Sequence, residues 1–131
     1  MSWNKNSRHI VEIEFDLEGF GVGKHNITGG AGQITNIPAN ALIYYVDFQV
    51  VDAIHSQSDS ATLLWGVNND NDLISGSTAR AVTALTKGAY FKSTAIDRLH
   101  TTASHPFTVN VATQALTAGR AKFITEFRVL N

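Results

Sequence analysis

The sequence contains no cysteine, which excludes disulfide bonds, thiolate zinc sites and cysteine nucleophiles together. Charged residues make up only 16% of the 131 residues, and the net charge is −1. A chain with so little charge has no basic field to attract nucleic acid, so we expect no nucleic-acid partner. Its polar surface must come mainly from Thr, Ser, Asn and Gln, and such a surface suits docking to a fixed partner better than long-range steering.

Long apolar runs are also missing. No stretch approaches the roughly 20 apolar residues that span a bilayer, so we expect no membrane partner. Residues 1–8 are polar apart from Trp3 and lack the apolar stretch of a signal peptide. We therefore expect a protein that is made in a reducing cytoplasm and stays there or leaves when the cell lyses.

Alternation of apolar and polar side chains predicts β-strands. Residues 11–17 alternate apolar positions with Glu12, Glu14 and Asp16, which is typical of a half-buried strand with one solvent-exposed face. Residues 41–54 give the longest strand pattern, and residues 61–67 give another. In the long strand we expect one face to be the core face: Tyr44, Val46, Phe48 and Val50. The opposite face is mixed: Ile43, Tyr45, Asp47, Gln49 and Val51.

Weaker patterns separate these strands from a clearer C-terminal end. Residues 24–28 and 96–100 are typical of short strands, and 68–72, rich in Asn and Asp, of a loop. Residues 73–91 are compatible with one short helix or with an irregular crossing segment. At the C-terminal end, two alternating runs, 107–112 and 123–129, predict an antiparallel hairpin with a longer turn.

Roughly six to eight short strands with turns between them predict an all-β fold, an antiparallel β-sandwich or jelly roll. Strands do not alternate with helices, so a parallel sheet is not expected. No linker divides the chain. We expect an N-terminal arm over residues 1–9 and a single β-sandwich domain over residues 10–131.

Candidate reactive groups have simpler structural explanations. The histidines show no metal-ligand spacing, and we expect no metal and no cofactor: His9, His25, His55, His100 and His105. Residues 69–72 lack the central Gly and distal Glu of a calcium loop. Residues 19–24 resemble a phosphate loop only faintly, because no helix is expected after them.

The carboxylates of residues 12–16 are the remaining candidate for catalysis. Two carboxylates facing across a cleft can hydrolyse glycosides. Three on one face of a strand are more simply its wet side, or charges that protect a sheet edge. No serine-nucleophile elbow is present. We therefore expect a structural or binding protein and no enzyme.

Several segments together resemble the small β-rich virion proteins of tailed bacteriophages, in particular head decoration (cement) proteins. The resemblance covers roughly residues 37–131 and is carried by four segments: Pro-Ala-Asn-Ala at 38–41, Leu-Leu-Trp-Gly-Val at 63–67, Asn-Asp-Leu-Ile at 71–74, and Ala-Thr-Gln-Ala-Leu-Thr-Ala-Gly at 112–119. It implies a protein that binds the outside of a capsid shell and clamps neighbouring subunits of the major capsid protein, as a homo-oligomer, dimer or trimer. The implied location is the virion surface after synthesis in the host cytoplasm.

Five residues are candidates for the contact surface: Trp3, Arg8, Tyr45, Tyr90 and Phe91. Trp3 and Arg8 lie in the expected arm, and Tyr90 and Phe91 are aromatic residues near predicted loops. Tyr45 lies on the less apolar face of the long strand. An alternative function is a tail-fibre or carbohydrate-binding β module without catalytic activity.

Overall fold

Short alternating segments form nearly all of the regular structure in a computed structural model, which describes residues 7–27, 36–67, 79–93 and 99–130. One 3₁₀ turn, Val82–Ala84, accompanies the strands. The strands are β1 (Arg8–Asp16), β2 (Gly23–Asn26), β3 (Asn36–Ile37), β4 (Ala41–Ser56), β5 (Thr62–Val67), β6 (Arg80–Ala81), β7 (Tyr90–Phe91), β8 (Leu99–His100), β9 (His105–Ala112) and β10 (Leu116–Val129). No helix in these residues is long and apolar enough to cross a membrane.

The strands form two antiparallel sheets. Sheet I has the order β1-β10-β4-β7, with β8 also paired to β4. Sheet II has the order β2-β9-β5-β6, with β3 also paired to β9. Every strand pair is antiparallel. The expected all-β antiparallel sandwich is therefore confirmed, and the finer jelly-roll assignment stays a prediction.

The C-terminal hairpin expected from the sequence is wrong. Strand β9 pairs with β2, β3 and β5 in sheet II, whereas β10 pairs with β1 and β4 in sheet I. The two strands face each other across the core, and the ring centroids of Phe107 and Phe123 are 5.1 Å apart. Alternation shows which side of a strand is buried, but strands in one sheet and strands in opposite sheets share that pattern.

The core face of β4 also differs from the expected one. Its pairing with β10 shifts register between Tyr45 and Ile43, which marks a β-bulge at Tyr44. The extra residue reverses the alternation, so Ile43 is fully buried with Val46 and Phe48, whereas Tyr44 is only partly buried. The expected core position of Tyr44 is therefore wrong, and those of Val46, Phe48 and Val50 are confirmed.

Several expected boundaries move by a few residues. Strand β1 begins at Arg8, so Arg8 and His9 pair with β10 and belong to the sheet rather than to an arm. Between residues 79 and 91 the chain forms β6, the 3₁₀ turn and β7, which agrees with the irregular crossing segment and not with a helix. The Asn/Asp-rich loop at 68–72 lies outside the described residues.

Aromatic rings connect the two sheets. The rings of Phe48 in sheet I and Trp65 in sheet II stack with centroids 4.1 Å apart and planes at 9°. Phe123 meets Phe48 edge-on at 5.4 Å, and Phe91 lies 5.2 Å from Trp65. Phe48, Trp65 and Phe123 are fully buried, so this cluster supplies much of the apolar area that holds the sandwich together.

One tight approach in sheet I gives a prediction about stability. Gly119 has a φ of +139°, and a Cβ there would lie 2.8 Å from Cγ1 of Ile54 and 2.9 Å from its Cα. We expect Gly119→Ala to destabilise the protein by about 3 kcal/mol, because it adds backbone strain and a clash with a buried strand.

The matched control is Gly21→Ala, since a Cβ at Gly21 would have no atom within 4 Å. We expect it to change the free energy of unfolding by less than about 0.5 kcal/mol. Urea denaturation of both variants measures the difference. Equal midpoints for the two variants would contradict the packing at Gly119.

Candidate functional site

The solvent-facing side of sheet I, here called the outer face, carries ion pairs, tyrosines and a hydrogen-bonded carboxylate. Inward residues of its strands are buried, including Ile13, Phe48 and Phe123. The side chains between them therefore point outward in aligned rows. One row runs Ile10–Glu126–Tyr45 across β1, β10 and β4, and another runs Glu14–Lys122–Gln49–Tyr90 across β1, β10, β4 and β7.

Side chains of opposite charge pair between β1 and β10 on this face. Lys122 Nζ lies 3.1 Å from Glu12 Oε1, and Arg120 Nη1 lies 3.0 Å from Glu14 Oε2. Arg8 forms a further ion pair, with Glu126. Glu12 and Glu14 thus each have a cation as partner and lie on an exposed strand. This arrangement agrees with the wet side of a strand, and exposed pairs of this kind contribute at most about 1 kcal/mol each.

A hydrogen-bonded centre lies where β7 meets β4. Asp47 is only 8% exposed although it points toward the outer face. Its carboxylate accepts a hydrogen bond from the Tyr90 hydroxyl at 2.7 Å and another from the Ser93 backbone N–H at 3.0 Å. These two bonds satisfy a carboxylate that has little water around it, and they fix the direction of the Tyr90 ring.

Burial and negative charge both act on the tyrosines of this face. Partial burial, then the hydrogen bond to Asp47 and the charge of Asp47, raise the pKa of Tyr90 to about 12. Burial, and then the charges of Glu126 and Asp47, also raise the pKa of Tyr45. Both phenols are therefore neutral hydrogen-bonding groups at neutral pH and not nucleophiles.

A cation also packs on this surface. The Arg8 guanidinium lies 4.1 Å from the ring centroid of Tyr44, the residue that the β4 bulge turns outward. The ion pair with Glu126 and the ring of Tyr44 together hold Arg8 at the end of β1.

The structure brings three of the five candidate contact residues to one face. Arg8, Tyr45 and Tyr90 all project from the outer face, although they lie far apart in the sequence. Phe91 points to the other side of the same strand, where it packs against Trp65 and under the Arg80 guanidinium. Trp3 lies outside the described residues.

Two features of the outer face were missed from the sequence. Ile10 is 66% exposed, although the outward residues on either side of it along β1, Arg8 and Glu12, are charged. The alternation predicted from the sequence begins at Val11, so it assigns Ile10 to neither face. The alternation of β4 predicts the observed face for Asp47, but the burial of Asp47 depends on β7, and the sequence does not indicate that contact.

The histidines are dispersed in the structure. His25 stacks on Phe20 at 4.5 Å and bonds the carbonyl of Gly21, whereas His100 bonds the Asn40 side chain at 2.8 Å. Within the described ranges, no group of three or more His, Asp or Glu side chains is arranged to hold a metal ion. The glycine-rich segment 19–23 leads into β2 and not into a helix, so it presents no helix N-terminus to a phosphate.

A cleft of about 500 Å³ opens beside β1 and β2. Its walls include Phe15, Asp16, Phe20, Lys24 and His25. An amine, an imidazole and a carboxylate therefore share a partly apolar depression. The outer face has more paired charges and more tyrosines than this cleft. We therefore take the outer face as the candidate functional site.

The Tyr90–Asp47 contact gives a prediction about ionisation. We expect Asp47→Asn to lower the pKa of Tyr90 toward the ordinary tyrosine value of about 10, because it removes a charge that opposes ionisation. Since the raised pKa favours the protonated native state, its contribution to stability is present below about pH 10 and is lost as the pH rises toward 12.

The measurement is an NMR titration of the Tyr90 ring carbon bonded to the hydroxyl, in the wild type and in Asp47→Asn. Tyr45 serves as an internal reference, because Asp47 is only the third cause of its raised pKa. Identical Tyr90 midpoints in the two proteins would contradict the contact.

Comparisons with known proteins bear on the fold. No protein-family model and no curated protein matches the sequence. Among solved structures, the chain matches one in the acid-stable capsid of Helicobacter pylori bacteriophage KHP30 with a TM-score of 0.66 and 11% identity, covering 98% of this chain and 92% of that one. A chain of the cyanophage Pam1 capsid asymmetric unit matches with a TM-score of 0.62 and 14% identity, with coverages of 98% and 89%.

A chain of the Ralstonia phage GP4 capsid matches with a TM-score of 0.61 and 17% identity, covering 100% of this chain and 89% of that one. At these identities the likeness shows a shared fold. The two-sheet architecture of this protein is therefore one that also occurs in the capsids of three bacteriophages.

Proposed function

We propose that this chain is a structural protein of a phage virion, a capsid decoration or cement protein that binds the outer shell and stabilises the assembled head. The observation that carries the proposal is the set of three matches to phage capsid chains. In this proposal the partner is the major capsid protein, the protein forms a homo-oligomer, and its role is not catalytic.

The extent of the matches supports an accessory role. Each match covers nearly all of both chains, so the matched chains are about as long as this one. The likeness thus involves a whole small protein and not one domain within a much longer subunit. A small separate β-sandwich that is present in a capsid fits a protein added to a shell better than the protein that builds the shell.

The outer face has the composition of a contact surface. Tyr45 and Tyr90 offer aromatic area with hydroxyl groups, and Arg8 offers a guanidinium, the kinds of side chain that are enriched at protein interfaces. Most charges on β1 and β10 already have partners, so the face has little unbalanced charge to desolvate. We therefore propose the outer face as the shell-binding surface, with Trp3 as a further candidate contact; Phe91 packs inward against Trp65 and is not proposed for this face.

In this proposal the protein stabilises the shell through thermodynamic linkage between binding and assembly. A protein that binds the assembled shell but not its free subunits stabilises the shell by mass action. Repeated contacts around a symmetry axis raise avidity even where each contact is weak. With a net charge of −1, the protein has little long-range attraction, so the repeating geometry of the shell must supply the selectivity.

The test is co-sedimentation of the purified protein with expanded heads of its own phage that lack it. We expect saturable binding to expanded heads, little binding to unexpanded ones, and a higher dissociation temperature of the decorated heads. Failure to bind any shell of the phage would overturn the proposal. Binding to glycans in place of shells would favour the alternative of a tail-fibre or carbohydrate-binding module, to which none of the three structural matches lends support.

A variant pair tests the binding surface. We expect Tyr90→Ala to weaken binding to expanded heads about tenfold or more, because truncating an interface tyrosine that acts as a hot spot costs roughly 2 kcal/mol. Val22→Ala is the matched control, because Val22 is also well exposed, at 62% against 45% for Tyr90, but lies in the β1–β2 loop. Equal affinities of the two variants would exclude the outer face around Tyr90 as the contact.

A further inference from the structure

Strand β1 is the outermost strand of sheet I. It runs for nine residues and pairs with β10 along its whole length. In the part of the chain that the structure describes, no strand pairs with its other side. A long edge of this kind presents backbone N–H and C=O groups to a further strand, and proteins usually protect such edges with charges.

The outward row of β1 is charged at every position but one. The row consists of Arg8, Ile10, Glu12, Glu14 and Asp16. Ile10 interrupts it with a side chain that is 66% exposed, the most exposed of the large apolar residues in the described ranges. An isoleucine does not protect a sheet edge from pairing with a further strand. Its exposure is explained if an apolar side chain of a partner covers Ile10.

We propose that two copies of the chain pair through β1, antiparallel and centred on Ile10, so that sheet I continues from one subunit into the other. In this register Ile10 lies opposite Ile10 of the second copy. Arg8 of each copy lies opposite Glu12 of the other, on either side of the two-fold axis. Both Arg8 and Glu12 keep 57% of their side-chain area exposed, so each has room for a second partner beside its intrachain ion pair.

Charge selects this register over its neighbours. Centring the pair on Val11 places Ile10 opposite Glu12, which buries an apolar side chain against a carboxylate. Centring it on Glu12 places two Glu12 carboxylates together, and centring it on Ile13 places Glu12 opposite Glu14. Like charges directly opposite each other destabilise a sheet, whereas opposite charges and apolar pairs stabilise it.

This inference deepens the homo-oligomer part of the proposed function, because it names the contact. It does not depend on shell binding, since it is tested on the isolated protein. A wild type that is monomeric but binds heads would overturn only the dimer, and a dimer that binds no heads would overturn only the shell-binding proposal. The two proposals can therefore fail separately.

Cysteine cross-linking reads the register directly, because the chain has no cysteine of its own. Directly opposed residues in antiparallel strands have Cα atoms about 4.5–5.5 Å apart, which a disulfide can bridge. We therefore expect Ile10→Cys to form a covalent dimer under mild oxidation. Glu12→Cys alone should not, since the two Glu12 positions lie four residues out of register, about 14 Å apart along the strand.

A mixture of Arg8→Cys and Glu12→Cys proteins provides the second register test. In the mixed dimer the two cysteines lie opposite each other, and the other Arg8–Glu12 pair stays intact. We expect the mixed covalent dimer to exceed either self-linked dimer. Val22→Cys is the control for random collision at an exposed site, and cross-linking of Ile10→Cys no faster than that of Val22→Cys would overturn the proposal.

Sedimentation velocity over a range of concentrations tests the unmodified interface. We expect the wild type to be dimeric, Ile10→Lys to dimerise at least tenfold more weakly, and Val22→Lys to behave as the wild type. Circular dichroism and urea midpoints check that both lysine variants are folded. A monomeric or trimeric wild type, or a dimer that Ile10→Lys leaves unchanged, would overturn the proposal.

Discussion

The stack of Phe48 on Trp65 is the contact on which the rest of the structure depends. Phe48 belongs to sheet I and Trp65 to sheet II, and their rings lie 4.1 Å apart at the centre of the core. Consecutive long strands, such as β4 with β5 and β9 with β10, lie in different sheets. Local hairpins therefore contribute little to holding the fold, and packing between the sheets must stabilise pairings between strands that are distant in the sequence.

The same packing determines the outer face. Side chains alternate along a strand, so each inward ring fixes the direction of its neighbours. Phe48 faces inward, and Asp47 beside it faces the outer side of sheet I. Phe91 packs on Trp65, and Tyr90 beside it turns its hydroxyl to Asp47 at 2.7 Å. The candidate site is thus the outward side of strands whose inward residues form the aromatic core.

Local patterns predicted the strands and most of the buried residues, because alternation is a local property of the chain. The sequence did not predict which strands are neighbours: β9 and β10 have the alternation of a hairpin but lie in opposite sheets. The bulge at Tyr44 reverses which side chains of β4 face the core at one end of the strand. No residue type at that position indicates a bulge. The proximity of Arg8, Tyr45 and Tyr90 arises only from the pairing of β1, β10, β4 and β7, so sequence could suggest each residue but not the shared face.

Low charge gives the two proposals a common physical basis. The ion pairs of Glu12, Glu14 and Glu126 neutralise much of the outer face, which lowers the cost of covering it but also weakens attraction at a distance. A single copy of such a face gains only a modest contact energy. Pairing through β1 would place two outer faces on one continuous sheet, so binding of the first would raise the effective concentration of the second. This gain requires contact sites repeated at a fixed spacing, which an assembled shell offers and its free subunits do not.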